Sequence, residues 1–313
     1  MIVEAESTVT KGPKIWAVGG GKGGVGKSVV TSNLAVAVAR SGARVVLVDA
    51  DLGGANLHTL VGVPSPKVTL SDFIARRVSS LAEVMVPTPY DNLWLVSGAK
   101  ALLETANPNY GQKGKLLRHI AAMNVDHVFL DLGAGSTFNV LDFFLVARRG
   151  VLVVVPESTS VENAYFFIKA AYFRKLKTAT PRQQVKAAIQ EVMNGNSRRT
   201  VRTPRDLMTQ VMAVDPVAGA ALMEAASTFN PSLIVNRIER SEQARLGFEM
   251  SSACRDYFGI PVKCLGTFPN DNLVKRSVKE GRPAVDLFPQ STFANAVRST
   301  VESLSGATSG VVQ

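Results

Sequence analysis

Gly19-Gly20-Gly21-Lys22-Gly23-Gly24-Val25-Gly26-Lys27-Ser28 stands between a short apolar run ending at Gly19 and a stretch of helical spacing, Ser28–Ser41. The decamer satisfies two phosphate-binding patterns. Gly21-x-Gly23-x-x-Gly26, with Asp49 closing the next apolar run, is the spacing of a dinucleotide site, where backbone amides and a helix N-terminus hold a pyrophosphate. Gly21-x4-Gly26-Lys27-Ser28 is the spacing of a P-loop. Lys27 and Ser28 decide between them. A pyrophosphate needs no lysine there. A triphosphate brings charge that Lys27 can meet at its β and γ oxygens, and a magnesium ion that the Ser28 hydroxyl can ligate. The residues from Gly21 through Gly23, Gly24, Val25 and Gly26 to Ser28 are therefore read as a triphosphate cradle.

Outward from the loop, β-branched apolar runs bounded by Gly, Asp or Pro read as buried strands. They are Ile15–Gly19, Arg44–Val48, Leu93–Val96, Val128–Leu132, Val151–Val155, Leu233–Val235 and Val262–Phe268. Helical spacing recurs at Ser28–Ser41, Lys113–Met123, Ser160–Lys177, Ser241–Tyr257 and Phe293–Leu304. Strand and helix alternate over most of the chain, which predicts an α/β fold: a doubly wound, mostly parallel sheet with helices on both faces. Residues 1–14 read as a polar tail and 15–313 as one domain. A Thr/Pro/Arg/Asn-rich zone at about 178–230 reads as a helical, basic insertion in it.

Acidic residues close two of these strands. Val48-Asp49-Ala50-Asp51 ends the second, and two carboxylates at i and i+2 of an extended segment lie on the same side of it. Phosphoryl transfer has work for each: one can hold a magnesium-bound water while the other orients an attacking water. Val128-Phe129-Leu130-Asp131 ends another strand and runs into Leu132-Gly133-Ala134-Gly135.

The second loop lysine makes Lys22-Gly23-Gly24-Val25-Gly26-Lys27-Ser28 resemble the deviant Walker A of the MinD/ParA family of P-loop ATPases. Asp49-Ala50-Asp51-Leu52-Gly53-Gly54-Ala55-Asn56-Leu57 resembles switch I of its MinD branch, and Asp131-x-x-x-Gly135 its Walker B and switch II. Val153–Ala164 is similar to a segment of MinD and of the flagellar-number ATPases FlhG/FleN, with Ser160 expected as a helix N-cap. The resemblance spans roughly 14–300. It implies an ATP- and Mg²⁺-dependent ATPase, slow until stimulated by an activating protein partner, that forms a homodimer around ATP. It further implies that Lys22 reaches the partner's nucleotide, Lys27 the bound phosphates, and Asp51 the nucleophilic water. Ser28, Asp49 and Asp131 would form the magnesium shell, Asn56 and Gly135 the switches, and Asn236 and Pro269 the adenine contacts.

Composition bounds the remaining choices. A chain of 313 residues with 46% hydrophobic and 19% charged side chains builds a real core. No apolar run approaches the roughly 20 residues of a membrane helix, and Met1–Lys14 lacks the apolar core of a signal peptide. Cys254 and Cys264 form no Cys-x-x-Cys, which argues against iron–sulfur carriers of the same fold. A cytoplasmic protein is expected, with nucleoid or pole as its address. Net charge is +10, and within 174–205 nine basic residues stand against Glu191, which points to non-specific DNA or an acidic protein as a contact. The final apolar stripe, Phe293, Val297, Val301 and Leu304, carries only Arg298 as a base, so it is expected to dock on the core rather than on a membrane. The function expected is a switch controlling the position or number of a cellular structure. The alternatives are a ParA-like DNA-binding partition ATPase and an ATP-dependent metabolic enzyme.

Overall fold

The computed structural model describes residues 12–98, 108–147, 149–195 and 203–306. The first half runs β1 (Lys14–Gly19), α1 (Lys27–Arg40), β2 (Val45–Ala50), α2 (Leu57–Leu60), α3 (Leu70–Ile74), β3 (Met85–Pro87) and β4 (Leu93–Val96). There follow α4 (Tyr110–Ala121), β5 (His127–Leu132), α5 (Phe138–Val146), β6 (Arg149–Val154) and α6 (Ser158–Thr178). Three helices come next, α7 (Gln183–Met193), α8 (Pro204–Val214) and α9 (Pro216–Ser227). The chain then returns through β7 (Ser232–Ile238), α10 (Leu246–Phe258), β8 (Lys263–Pro269), α11 (Asn272–Lys279), α12 (Ala284–Leu287) and α13 (Thr292–Gly306).

The eight strands form one sheet in the order β3-β4-β2-β5-β1-β6-β7-β8. Every pairing is parallel except β3 with β4. Parallel strands are covered on both faces, and the period-2 alternation of side chains splits each strand between two cores. Ile15 and Ala17 of β1 join the core under α3 to α10, whereas Trp16 and Val18 join the one under α1, α2, α12 and α13. The short antiparallel β3 carries no alternating pattern and ends on Pro87, so the sequence gives no strand signal there.

Ser160 is not a helix cap. Helix α6 starts at Ser158 with Glu157 at its N-cap position, and the buried Ser160 Oγ accepts from the Val155 N–H at 3.1 Å. The apolar stripe of α13 packs on β8 and α1, with Phe293 and Val297 fully buried.

Helices α7, α8 and α9 make up most of the described part of the 178–230 zone, and the basic residues that lead into it from Arg174 to Arg182 are engaged. Arg182 pairs with Asp215 at 2.6 Å, Arg174 and Lys113 both hold Asp142, Lys177 bonds Gln190, and Lys175 donates to the Thr228 carbonyl. Arg198, Arg199 and Arg202 lie outside the described residues.

Candidate functional site

The loop between β1 and α1 is pinned from two sides. Gly26 precedes α1 with φ of 92°, a left-handed conformation that favours glycine, and a Cβ there would come within 2.5 Å of Asn236 Nδ2. That amide, at the end of β7, donates to the Val25 carbonyl at 2.9 Å. On the other side a Cβ on Gly21 would meet the Asn163 carbonyl of α6 at 2.2 Å. The loop thus delivers the N-terminus of α1 to the carboxyl edge of the sheet, with the Lys27 side chain largely buried beneath it. Backbone amides and a positive helix end are what phosphates require.

The parallel register of β2 and β5 places Asp49 opposite Asp131. Asp49 is fully buried and accepts from the backbone N–H groups of Asp51 at 3.3 Å and Leu57 at 3.0 Å. Burial, and then the charge of Asp131, push its carboxyl well above the usual range. Asp131 is pushed up by burial too, while the Ser28 hydroxyl, Lys27 and the Thr31 hydroxyl at 3.2 Å oppose the shift. Two buried acids beside Ser28 and Lys27 form an electronegative seat. Among the described residues no group of three or more His, Cys, Asp or Glu could cage a metal alone. Two carboxylates and a hydroxyl fit Mg²⁺, which takes few protein oxygens and completes its shell with phosphates and water.

Asp51 is half-buried and leans on glycine backbone: a Cβ on Gly133 would lie 3.3 Å from its Oδ1. Gly135, with φ of 82°, donates its N–H to the Gly20 carbonyl at 3.1 Å, tying the loop after β5 to the phosphate loop. Asn56 precedes α2 and donates to the Gly54 carbonyl at 2.8 Å. Pro269 and Asn236 share a cleft of about 680 Å³ with Gly26, Val29 and Pro156, next to the loop. Lys22 is engaged within its own chain, 3.1 Å from Glu157 Oε2 and 3.0 Å from Thr159 Oγ1. Sequence reasoning missed the roles of Thr31, Asn163 and Glu157. Thr31 follows Ser28 by nearly one helical turn, which would have exposed it; the other two lie in the Val153–Ala164 segment noted above, but nothing along the chain says that they reach the loop.

Comparison with known proteins shows the family and the fold. The profile of the ParA family described as NUBPL iron-transfer P-loop NTPases matches residues 12–165. The septum site-determining protein MinD of Synechocystis sp. is 32% identical over 274 residues, covering 87% of this chain and 82% of that one. The chain belongs to the MinD/ParA family. The antiactivator FleN of Pseudomonas aeruginosa is 39% identical over 158 residues, a match spanning 50% of this chain and 55% of FleN. MinD of Pyrococcus horikoshii, solved with Mg-ADP, shares the fold with a TM-score of 0.64 at 22% identity, covering 96% of this chain and 100% of that one. Within the MinD/ParA fold of this chain, Cys254 is buried in α10 and Cys264 half-buried on β8, and burial pushes both thiols up.

Proposed function

We propose that the chain binds and hydrolyses Mg–ATP, dimerises around it, and acts as a switch controlling the position or number of a cellular structure. The observation that carries the reading is the register pairing of Asp49 with Asp131 beside Lys27 and Ser28, with Asp51 against Gly133. Lys27 and the loop amides would hold the phosphates, and the Ser28 hydroxyl with Asp49 and Asp131 would seat Mg²⁺, which would supply charge neutralisation there. Asp51, lying against Gly133, orients the water that attacks. Asn236 contributes its remaining amide valence to the base while it braces Val25. Turnover is slow until a partner protein closes the switch loops.

The septum site-determining and antiactivator descriptions of its relatives support a regulatory rather than a metabolic reading. Calorimetry with ATP and NAD, with and without Mg²⁺, tests the proposal. Magnesium-dependent ATP binding is expected, and tighter NAD binding or indifference to magnesium would overturn it.

A further inference from the structure

Between Met208 and Met223 the only ionisable residue is Asp215. That residue caps α9 and is neutralised by Arg182. The corner of the α8–α9 hairpin is consequently uncharged, yet it stands in solvent: Val214 is 88% exposed, Val217 74% and Met223 54%. Toward the base of the hairpin the exposed positions become polar, with Arg205, Thr209, Gln210 and Glu224. An apolar end of this kind, with the cation Lys186 one turn into α7, marks an interaction surface.

Its chemical complement is on the same molecule. Between the start of α6 and α10 runs a cleft of about 710 Å³ whose walls include Val161, Tyr165, Leu246 and Met250. Glu162, Glu242 and Glu249 stand exposed along it, and among the described residues no basic one lines it. Helix α6 separates the two features. The cleft begins at its N-terminal end, the corner touches Arg182 just beyond its C-terminal end, and its 21 residues span about 30 Å. One chain cannot fold its own corner into its own cleft.

We propose that the α8–α9 corner of one copy docks into the Glu162–Glu249 cleft of a second copy. Apolar meets apolar, and Lys186 beside the corner meets the acidic rim. Corner and cleft are different surfaces at opposite ends of α6, so the contact is heterologous and each copy keeps one unused corner and one unused cleft. The assembly grows head to tail, independently of nucleotide, and differs from the dimer around ATP put forward above.

Sedimentation velocity on the full chain without nucleotide, from micromolar concentrations upward, tests this. Expected is growth past the dimer that falls with added salt. Val214→Asp with Val217→Asp, at positions that are open to solvent, should weaken association about a hundredfold while melting temperature and ATPase rate stay unchanged. Glu242→Lys with Glu249→Lys should do the same from the cleft side. The decisive sample mixes the two double variants. One supplies an intact cleft and the other an intact corner, so the mixture should form one-to-one pairs and stop there. A wild-type chain that stays monomeric at every concentration overturns the proposal, as does a mixture that fails to pair. Binding of the monomeric wild type to phosphatidylglycerol vesicles, lost in the valine variant, would overturn it in favour of a lipid contact.

Discussion

Lys22 Nζ lies 3.1 Å from Glu157 Oε2, so the loop lysine that the dimer reading sends to a partner is held, in the single chain, at the start of α6. The two side chains are 41% and 57% exposed. An ion pair so open to water contributes less than about 1 kcal/mol, which is a roughly fivefold effect on an equilibrium. The contact is a weak latch. Glu157→Gln is expected to lower the protein concentration at which ATP drives dimerisation by up to about fivefold. Lys22→Ala is expected to remove the dimer and turnover while leaving measurable nucleotide affinity. Light scattering across a concentration series reads both; a Glu157→Gln chain that dimerises no more readily than wild type would show the pair to be inert.

Asp51→Ala removes the group proposed to orient water but leaves the Asp49–Asp131 seat intact. Turnover should fall by roughly two orders of magnitude or more, while Mg–ATP binding and the ATP dimer persist. If this variant is monomeric at saturating ATP, dimerisation around the nucleotide is wrong for this chain.

Asn236 serves the loop and the base together, so its loss should register twice. Asn236→Ala leaves the buried Val25 carbonyl without its donor and is expected to weaken ATP about tenfold and narrow the preference for ATP over GTP. Gly26→Ala should be worse, because it adds a left-handed alanine and a 2.5 Å clash with the same amide. Calorimetry with both nucleotides checks the pair. An unchanged ATP-to-GTP ratio in Asn236→Ala would remove this residue from base recognition.

Asp142 gives a pH signature separate from the nucleotide site. Burial raises its carboxyl, but hydrogen bonds and charge from Arg174 and Lys113 outweigh that and hold it below its ordinary 3.8. A depressed folded-state value contributes stability that is present above the unfolded value and lost as pH falls through the folded one. Asp142→Asn should therefore cost about 1–3 kcal/mol near neutrality, because it leaves Lys113 and Arg174 facing each other. The difference from wild type should shrink below about pH 4. Denaturant melts at several pH values decide it; a gap that stays constant into acid would assign the loss to packing instead.

The phosphate loop was legible in the sequence because it is contiguous. Ten residues carry the whole of its chemistry, and the glycines report the backbone they need. Asp49 and Asp131 were legible for a similar reason, each closing a run that only a buried parallel strand explains. The short β3 and the exact start of α6 were not, since neither carries a periodic pattern long enough to outweigh its neighbours.

By itself, then, the sequence determined the alternation of strands and helices, the glycine-rich loop proposed as the triphosphate cradle, and which side chains could serve it. Which of them meet was decided by the order β4-β2-β5-β1-β6-β7, which no one-dimensional pattern encodes. That order brings Asn236 onto Val25 across 211 residues and Glu157 onto Lys22 across 135. The physical reason is that a parallel sheet gathers the carboxyl ends of all its strands along one edge, while the choice of neighbours rests on how the helices pack over both faces. The same packing leaves the valines of the α8–α9 corner in water and opens the cleft beside α6, features whose residues, read along the chain, look like any other apolar helix.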